Sequence, residues 1–374
     1  MAILHLNHSL RTKFAYDFAM RNAPSLIALI AVSLATSADC APLGRQSSIA
    51  GDYGRPGTRT AVEGARRLNL VCVGSGKSTV VFLSGLGGGT FDWRKVQPVV
   101  GRFIRACAYD RAGYGFSDPA TAPSDVINTV SDLHALLHSK AIAAPVILVG
   151  HSLGGLYATS YALRYPRDVA GLVLVEPAFN GQAAQIAKAI GPAAAGRLEA
   201  ANKQTVTALD RCVALAASGR LSLPVEQSSD CLDNPADPDP DVHRERNREA
   251  KSVAFQRTLR SEYEMANITD AGGETRDDHQ SEWAGSTLGS MPLVVLTRGN
   301  SEALPGLSAG EVANAERAWR MGHDRLAELS TVGTHVIVPH SGHFVQLEQP
   351  EVVIREVLKI ERDIRRCPVG SRPP

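Results

Sequence analysis

Short apolar runs of strand length recur along the chain, and the stretches between them carry helical spacing. From about Arg67 to Pro177 the runs are RLNLVCV, TVVFLS, FIRACAY, PVILVG and GLVLVE. Near-continuous apolar runs of this kind suit strands buried on both faces of a sheet. Helical patterns separate the later ones: in DVINTVSDLHALLHSK, Val126, Val130, Leu133 and Leu137 fall on one helical face. From Phe179 to about Glu282 the texture becomes alanine-rich and charged, interrupted by the turn-forming stretch SSDCLDNPADPDPD, which reads as a helical insertion. Strand texture returns at MPLVVLTRG, and a helical stretch through AERAWRMGHDRLAELS leads to a last strand, THVIVPH. EVVIREVLKIERDIRR closes the chain as an amphipathic helix. The alternation predicts an α/β protein: a mostly parallel sheet flanked by helices. Its core spans residues 41–179 and 286–374, and a helical cap occupies 180–285.

Composition agrees with a buried core, since 44% of the 374 residues are hydrophobic and 21% charged. Lysine plus arginine (39) balances aspartate plus glutamate (38), and no basic run marks a nucleic-acid surface. The N-terminus has the form of an export signal: Arg11, Lys13 and Arg21 precede the apolar stretch SLIALIAVSLA and the small residues TSA. Residues 1–40 are therefore expected to be a signal peptide, with Met20 as an alternative start. The apolar stretch is too short for a comfortable membrane span. Cys40 invites lipid attachment, but Asp39 before it fits such a site poorly. The expected location is the periplasm or the exterior, where cysteines pair. Cys212 and Cys231 lie in one polar stretch and would close a local loop, whereas Cys40 and Cys367 stand at the chain ends.

Two glycine-rich loops, in VGSGKSTVVFLSGLGGG, look like phosphate cradles. A P-loop ending in Gly76-Lys77-Ser78 requires glycine at position 71, which is Val71, and a helix where Thr79–Leu83 is β-branched. GSGKS thus reads as a hairpin turn. A dinucleotide fingerprint counted from Gly85 meets Thr90 where its last glycine belongs. Neither loop predicts a nucleotide. His134 and His138, one turn apart on a helix, have metal-ligand spacing, but no third ligand follows at a suitable distance in sequence, so they read as ordinary helix residues. No metal or organic cofactor is expected.

The strongest motif is Gly150-His151-Ser152-Leu153-Gly154, a G-x-S-x-G between an apolar strand and a helix. That context makes it a nucleophile elbow: a sharp turn projects Ser152 at the sheet edge, beside the first amides of the helix. It is joined, in order, by Ser84-Gly85-Leu86-Gly87-Gly88 upstream, by Asp110-Arg111-Ala112-Gly113-Tyr114-Gly115-Phe116-Ser117, and by a late Ser341-Gly342-His343. With these four motifs, the chain resembles the α/β-hydrolase superfamily over nearly its whole length after the leader.

The resemblance implies an α/β-hydrolase fold and a serine hydrolase acting on carboxylic esters, with an amidase or peptidase, or a silent binding protein, as alternatives. It implies Ser152 as nucleophile, His343 as base in preference to His340, and the backbone N–H groups of Leu86 and Leu153 as the oxyanion hole. His151 is expected to pack the loop. Ser84 departs from the family's usual histidine, so the bonds that hold the oxyanion loop must come from elsewhere. For the acid, the end of GLVLVE offers Glu176 and the stretch after MPLVVLTRG offers Glu302, with Glu176 preferred. Relatives with an aspartate at the elbow, such as dehalogenases and epoxide hydrolases, are disfavoured. In this fold the strands holding Cys72 and Cys107 are neighbours, which makes those cysteines partners. Trp93 and Phe344 stand where they would line a pocket, and are expected to pack. The substrate would be a small ester-type molecule.

Overall fold

In the computed structural model the described residues are 53–139, 141–142, 144–222, 231–232, 240–281, 285–304 and 306–366. The expected leader, Cys40 and Cys367 lie outside them. The apolar runs form the strands β2 (Arg67–Val73), β3 (Thr79–Leu83), β4 (Arg105–Asp110), β5 (Val146–His151), β6 (Val169–Val175), β7 (Leu293–Arg298) and β8 (Thr334–Val338), preceded by β1 (Thr58–Ala61). They make one eight-stranded sheet of order β1-β2-β4-β3-β5-β6-β7-β8. β1 and β2 pair antiparallel, as do β2 and β4, and every pairing from β4 onward is parallel. β1 escaped the apolar pattern because TRTA buries only Thr60, as an edge strand does.

Alternate residues feed two cores, one on each face. Along β3, Val81 and Leu83 join Leu133, Tyr157 and Trp319 on one face, whereas Val80 and Phe82 join Trp93, Val353 and Val357 on the other. Helices α1 (Val126–Leu137), α2 (Leu153–Arg164) and α8 (Ala309–Ala327) supply the first face, and α9 (Pro350–Arg366) the second. Val126, Val130, Leu133 and Leu137 are all buried, and Asp125 caps α1 by accepting from the Asn128 N–H.

GSGKS is not a hairpin. β4 lies between β2 and β3, so the link from Gly74 to Ser78 carries the chain past the start of β4. Gly74, at φ 73°, passes so close to the preceding segment that a Cβ there would sit 2.0 Å from the Gly101 carbonyl oxygen. The same strand order sets Cys72 directly opposite Cys107, with Cα atoms 4.1 Å apart, and the two are disulfide-bonded.

Between β6 and β7 the chain forms helices α3 (Gln182–Ile190), α4 (Pro192–Ala217), α5 (Pro240–Ala250), α6 (Val253–Asn267) and α7 (Arg276–Ser281). A Cys212–Cys231 disulfide ties α4 to the segment ahead of α5. Among the described residues no helix is long and apolar enough to cross a membrane.

Candidate active site

The elbow is built by close backbone approach. Ser152 sits between β5 and α2 at φ 52°, a left-handed conformation that costs a non-glycine residue of order 1–3 kcal/mol and persists only where the surroundings impose it. Here they do: the Ser152 N–H donates to the Val175 carbonyl at 3.0 Å, and its carbonyl accepts from Gly155 and Ala178. A Cβ on Gly150 would lie 2.4 Å from the Gly154 oxygen, and one on Gly154 would lie 2.5 Å from the Leu83 and Ser84 oxygens. Only glycine fits at either position. Leu153 opens α2, so its N–H has no acceptor within the helix.

Glu176, just past β6, also has positive φ, 49°, and is fully buried. Its Oε1 accepts from the Arg298 N–H (2.9 Å) and Trp319 Nε1 (3.2 Å). Its Oε2 accepts from Arg298 Nη1 and lies 3.2 Å from His343 Nδ1. Burial pushes its pKa up, but the Arg298 guanidinium and the His343 hydrogen bond outweigh that and hold it well below the usual carboxylate range. Arg298, equally buried, also donates from Nη2 to Glu316 at 2.7 Å. Glu302 meets His343 at its main chain, where its Oε1 accepts from the His343 backbone N–H at 3.1 Å. Both glutamates therefore touch His343, one at the ring and the other at the main chain.

His343 lies on the loop after β8, buried, with its ring 4.8 Å from that of His151. His151 Nε2 is 3.0 Å from the His343 carbonyl, so this nitrogen carries the proton and helps fix the loop. Burial, reinforced by His343, drives the His151 pKa down to about 3. It stays neutral. His340 is exposed, whereas Phe344 packs tilted against His151 and edge-on against His343. Trp93 is buried on the opposite core face against Phe82 and does not line the cleft at Ser152.

The loop Ser84–Gly88 turns tightly, with Gly88 N–H donating to the Gly85 carbonyl at 3.0 Å and Gly87 at φ 67°. A Cβ on Gly85 would press to 2.9 Å from the Ser152 Cβ, so the loop lies directly against Ser152. Its missing histidine is replaced by two charged groups. Arg111 Nη1 donates to the Ser84 carbonyl (2.5 Å) and Nη2 to that of Gly85 (2.7 Å). Glu262, from α6, accepts from the Gly87 N–H (3.1 Å), from Arg111 Nε (2.9 Å) and from the Tyr114 hydroxyl (2.7 Å). Ser84 itself donates from Oγ to the Gly89 carbonyl at 2.6 Å. Burial disfavours the Arg111 charge, yet Glu262 beside it holds the pKa above its ordinary value. Asp110 braces the far end of the loop by accepting from the Thr90 N–H at 2.8 Å.

Sequence reasoning missed Glu262 and Arg298. For Arg298 there was a signal: a charge ending the buried run LVVLTR needs a partner. Glu262 lies in a charged helical stretch and nothing local distinguished it. The helix pair His134 and His138 acquires a neighbour unseen in the sequence. Asp168, from the turn before β6, brings its Oδ2 to 2.9 Å from His138 Nε2, and one ligand atom from each of the three lies within 4.8 Å of the others. This cluster stands beside Tyr161 and Tyr165, at the end of α2 opposite Ser152, and Tyr161 already donates to Asp168 at 2.7 Å. Among the described residues no other group of three has this spacing.

A model of the alpha/beta hydrolase family matches residues 80–356. The chain is 33% identical over 104 residues to the (lyso)-N-acylphosphatidylethanolamine lipase of Mus musculus, covering 27% of this chain and 30% of the lipase. It is 35% identical over 121 residues to the 2-hydroxy-6-oxo-2,4-heptadienoate hydrolase of Pseudomonas putida, covering 31% of this chain and 43% of that enzyme. The matched stretch is thus less than half the length of either relative. A solved putative acyltransferase from Salmonella enterica superposes with a TM-score of 0.59 at 20% identity, covering 82% of this chain and 95% of the other. At that identity the likeness speaks for the fold.

Proposed function

Because the chain belongs to the alpha/beta hydrolase family, we propose that it is a serine hydrolase that cleaves carboxylic esters through an acyl-enzyme. The observation that carries the reading is the contact of 3.2 Å between the Glu176 carboxylate and His343 Nδ1, at the sheet edge where Ser152 occupies its strained elbow. With its pKa held low by Arg298 and His343, the Glu176 carboxylate fixes the tautomer in which Nδ1 carries the proton, and Nε2 is then the nitrogen that accepts one. Ser152 Oγ attacks the ester carbonyl as its proton passes to His343 Nε2, and the carbonyl π electrons move to oxygen. The N–H groups of Leu86 and Leu153 receive that oxyanion. Collapse of the intermediate breaks the bond to the alkoxy oxygen, which leaves as the alcohol with the proton from His343. Water, deprotonated by the same imidazole, attacks the acyl-serine and releases the acid and Ser152.

The similarity to a lipase over the matched stretch supports an ester substrate. The two disulfides, Cys72–Cys107 and Cys212–Cys231, support an oxidising location, and we propose that the protein is exported. The test is to treat purified protein with a fluorophosphonate and with p-nitrophenyl esters of increasing chain length, beside Ser152→Ala. Wild type should label and turn over at least one ester, and Ser152→Ala should do neither. A wild-type protein that does neither refutes the proposal.

A further inference from the structure

The cleft at Ser152 is not uniformly apolar. Its lining includes the apolar Leu156, Phe179 and Trp319 and also Asn267, Thr275 and Asp277 from the segment between β6 and β7. Asp277, on α7, is only 1% exposed. Its Oδ1 accepts from the Val126 N–H at 3.0 Å, whereas its Oδ2 has no hydrogen-bond partner among the described residues. Leaving a buried acceptor unpaired costs about 1–3 kcal/mol, and more if it is charged. Its neighbour Asp278 is different: one oxygen accepts from the Gly181 N–H at 2.6 Å and the other from the Thr275 N–H and hydroxyl, so it latches α7 to the end of the core. Asp277 is the carboxyl of this pair that keeps an unused, buried oxygen, on a residue that lines the cleft.

The charges around it favour one kind of partner. Asp125, Glu262 and Asp278 are the ionisable groups that act on it most strongly by charge, and all three are acidic. Arg111 already answers Glu262, and Arg276 lies 3.4 Å from Asp125. Burial first, and then these acids, push the Asp277 pKa well above the usual carboxylate value, although the Val126 N–H works the other way. A cation reaching Oδ2 would supply the missing donor and the missing charge together.

We propose that Asp277 recognises a positively charged nitrogen on the substrate, so that the esters cleaved at Ser152 carry an ammonium group which docks on Oδ2 while the chain between lies against Leu156, Phe179 and Trp319. The inference rests on the serine-hydrolase reading for its chemistry, though not for its binding. Two arms test it separately. In the first, kcat/KM is compared for p-nitrophenyl 6-aminohexanoate against p-nitrophenyl heptanoate, and for 2-aminoethyl butanoate against propyl butanoate. These pairs place the ammonium on the acyl or the alcohol side. Wild type should prefer the ammonium ester in at least one pair by tenfold or more, and Asp277→Asn, which keeps the Oδ1 acceptor for Val126, should bring that ratio to near one. Ratios near one in wild type for both pairs, or a preference that survives in a folded Asp277→Asn, overturn the proposal. In the second arm, calorimetric titration with hexylammonium should show binding to wild type that is lost in Asp277→Asn. Binding without fluorophosphonate labelling would leave the cation site standing and remove the hydrolase reading. Labelling without binding would do the reverse.

Discussion

Exchanging Glu176 for glutamine keeps the volume and removes the charge, and its consequences can be worked from the four donors that surround it. Oε1 faces the Arg298 N–H and Trp319 Nε1, and Oε2 faces Arg298 Nη1 and His343 Nδ1. A glutamine must turn its NH2 toward one of these pairs, so either orientation sets donor against donor. If the NH2 faces His343, the imidazole moves its proton to Nε2 and can no longer accept one from Ser152. In a triad the wrong tautomer costs about 10⁴ in kcat, or about 5 kcal/mol of barrier. Stability falls as well, because Arg298 loses the charge of a buried partner, and breaking a buried pair costs about 3–5 kcal/mol. Glu302→Gln is the control. Its oxygen can still accept from the His343 N–H, and its charge lies 4.0 Å from Arg298 Nη2, so the loss should stay near 1 kcal/mol, or within about tenfold in kcat. Steady-state hydrolysis of p-nitrophenyl butanoate, with melting curves to confirm folding, reads both variants. The reasoning is refuted if Glu302→Gln loses a thousandfold or more while Glu176→Gln stays within tenfold.

Glu262→Gln weakens the bracket on the oxyanion loop without touching Ser152, and kcat should fall by about ten to a hundredfold, short of the loss of a whole oxyanion donor; a change confined to KM would contradict this. Replacing Cys72 and Cys107 together by serine opens a loop of sequence separation 35, for which chain entropy predicts a loss of about 4 kcal/mol, read as a lower urea midpoint under nonreducing conditions. His323 is buried, and burial drives its pKa from 6.5 down to about 4, so the unfolded chain takes up a proton at higher pH than the folded one. Its contribution of about 3 kcal/mol is complete above pH 6.5 and lost as the pH falls toward 4, and stability measured across that window should drop less steeply in His323→Gln.

The architecture was legible because buried parallel strands announce themselves as apolar runs, and seven of the eight were visible in that way. β1 was not, since an edge strand that buries only Thr60 looks like a polar loop. Strand order is not legible from the runs alone, and GSGKS reads as a hairpin because the order that inserts β4 between β2 and β3 is a long-range property. At the site, residues carrying local motifs, Ser152 and the glycines around it, could be found from spacing. Residues that act across the fold could not. Arg111 lay inside a motif without a visible task, Glu262 reaches the Ser84–Gly88 loop from 175 positions away, and Asp168 completes its cluster from another element. The choice between Glu176 and Glu302 could not be made by chain order either, because both converge on His343, and only their different atoms of contact separate them.

The central claim is a covalent intermediate on Ser152, and the direct measurement is to trap it. Wild-type protein mixed with excess p-nitrophenyl butanoate, quenched in acid within the first turnover and digested, should yield a single butanoylated peptide that contains Gly150-His151-Ser152-Leu153-Gly154, with the acyl group on Ser152. It should be absent from Ser152→Ala and prevented by prior treatment with a fluorophosphonate. Ester turnover with no acyl group on that peptide, or with the acyl group on another residue, would contradict the account.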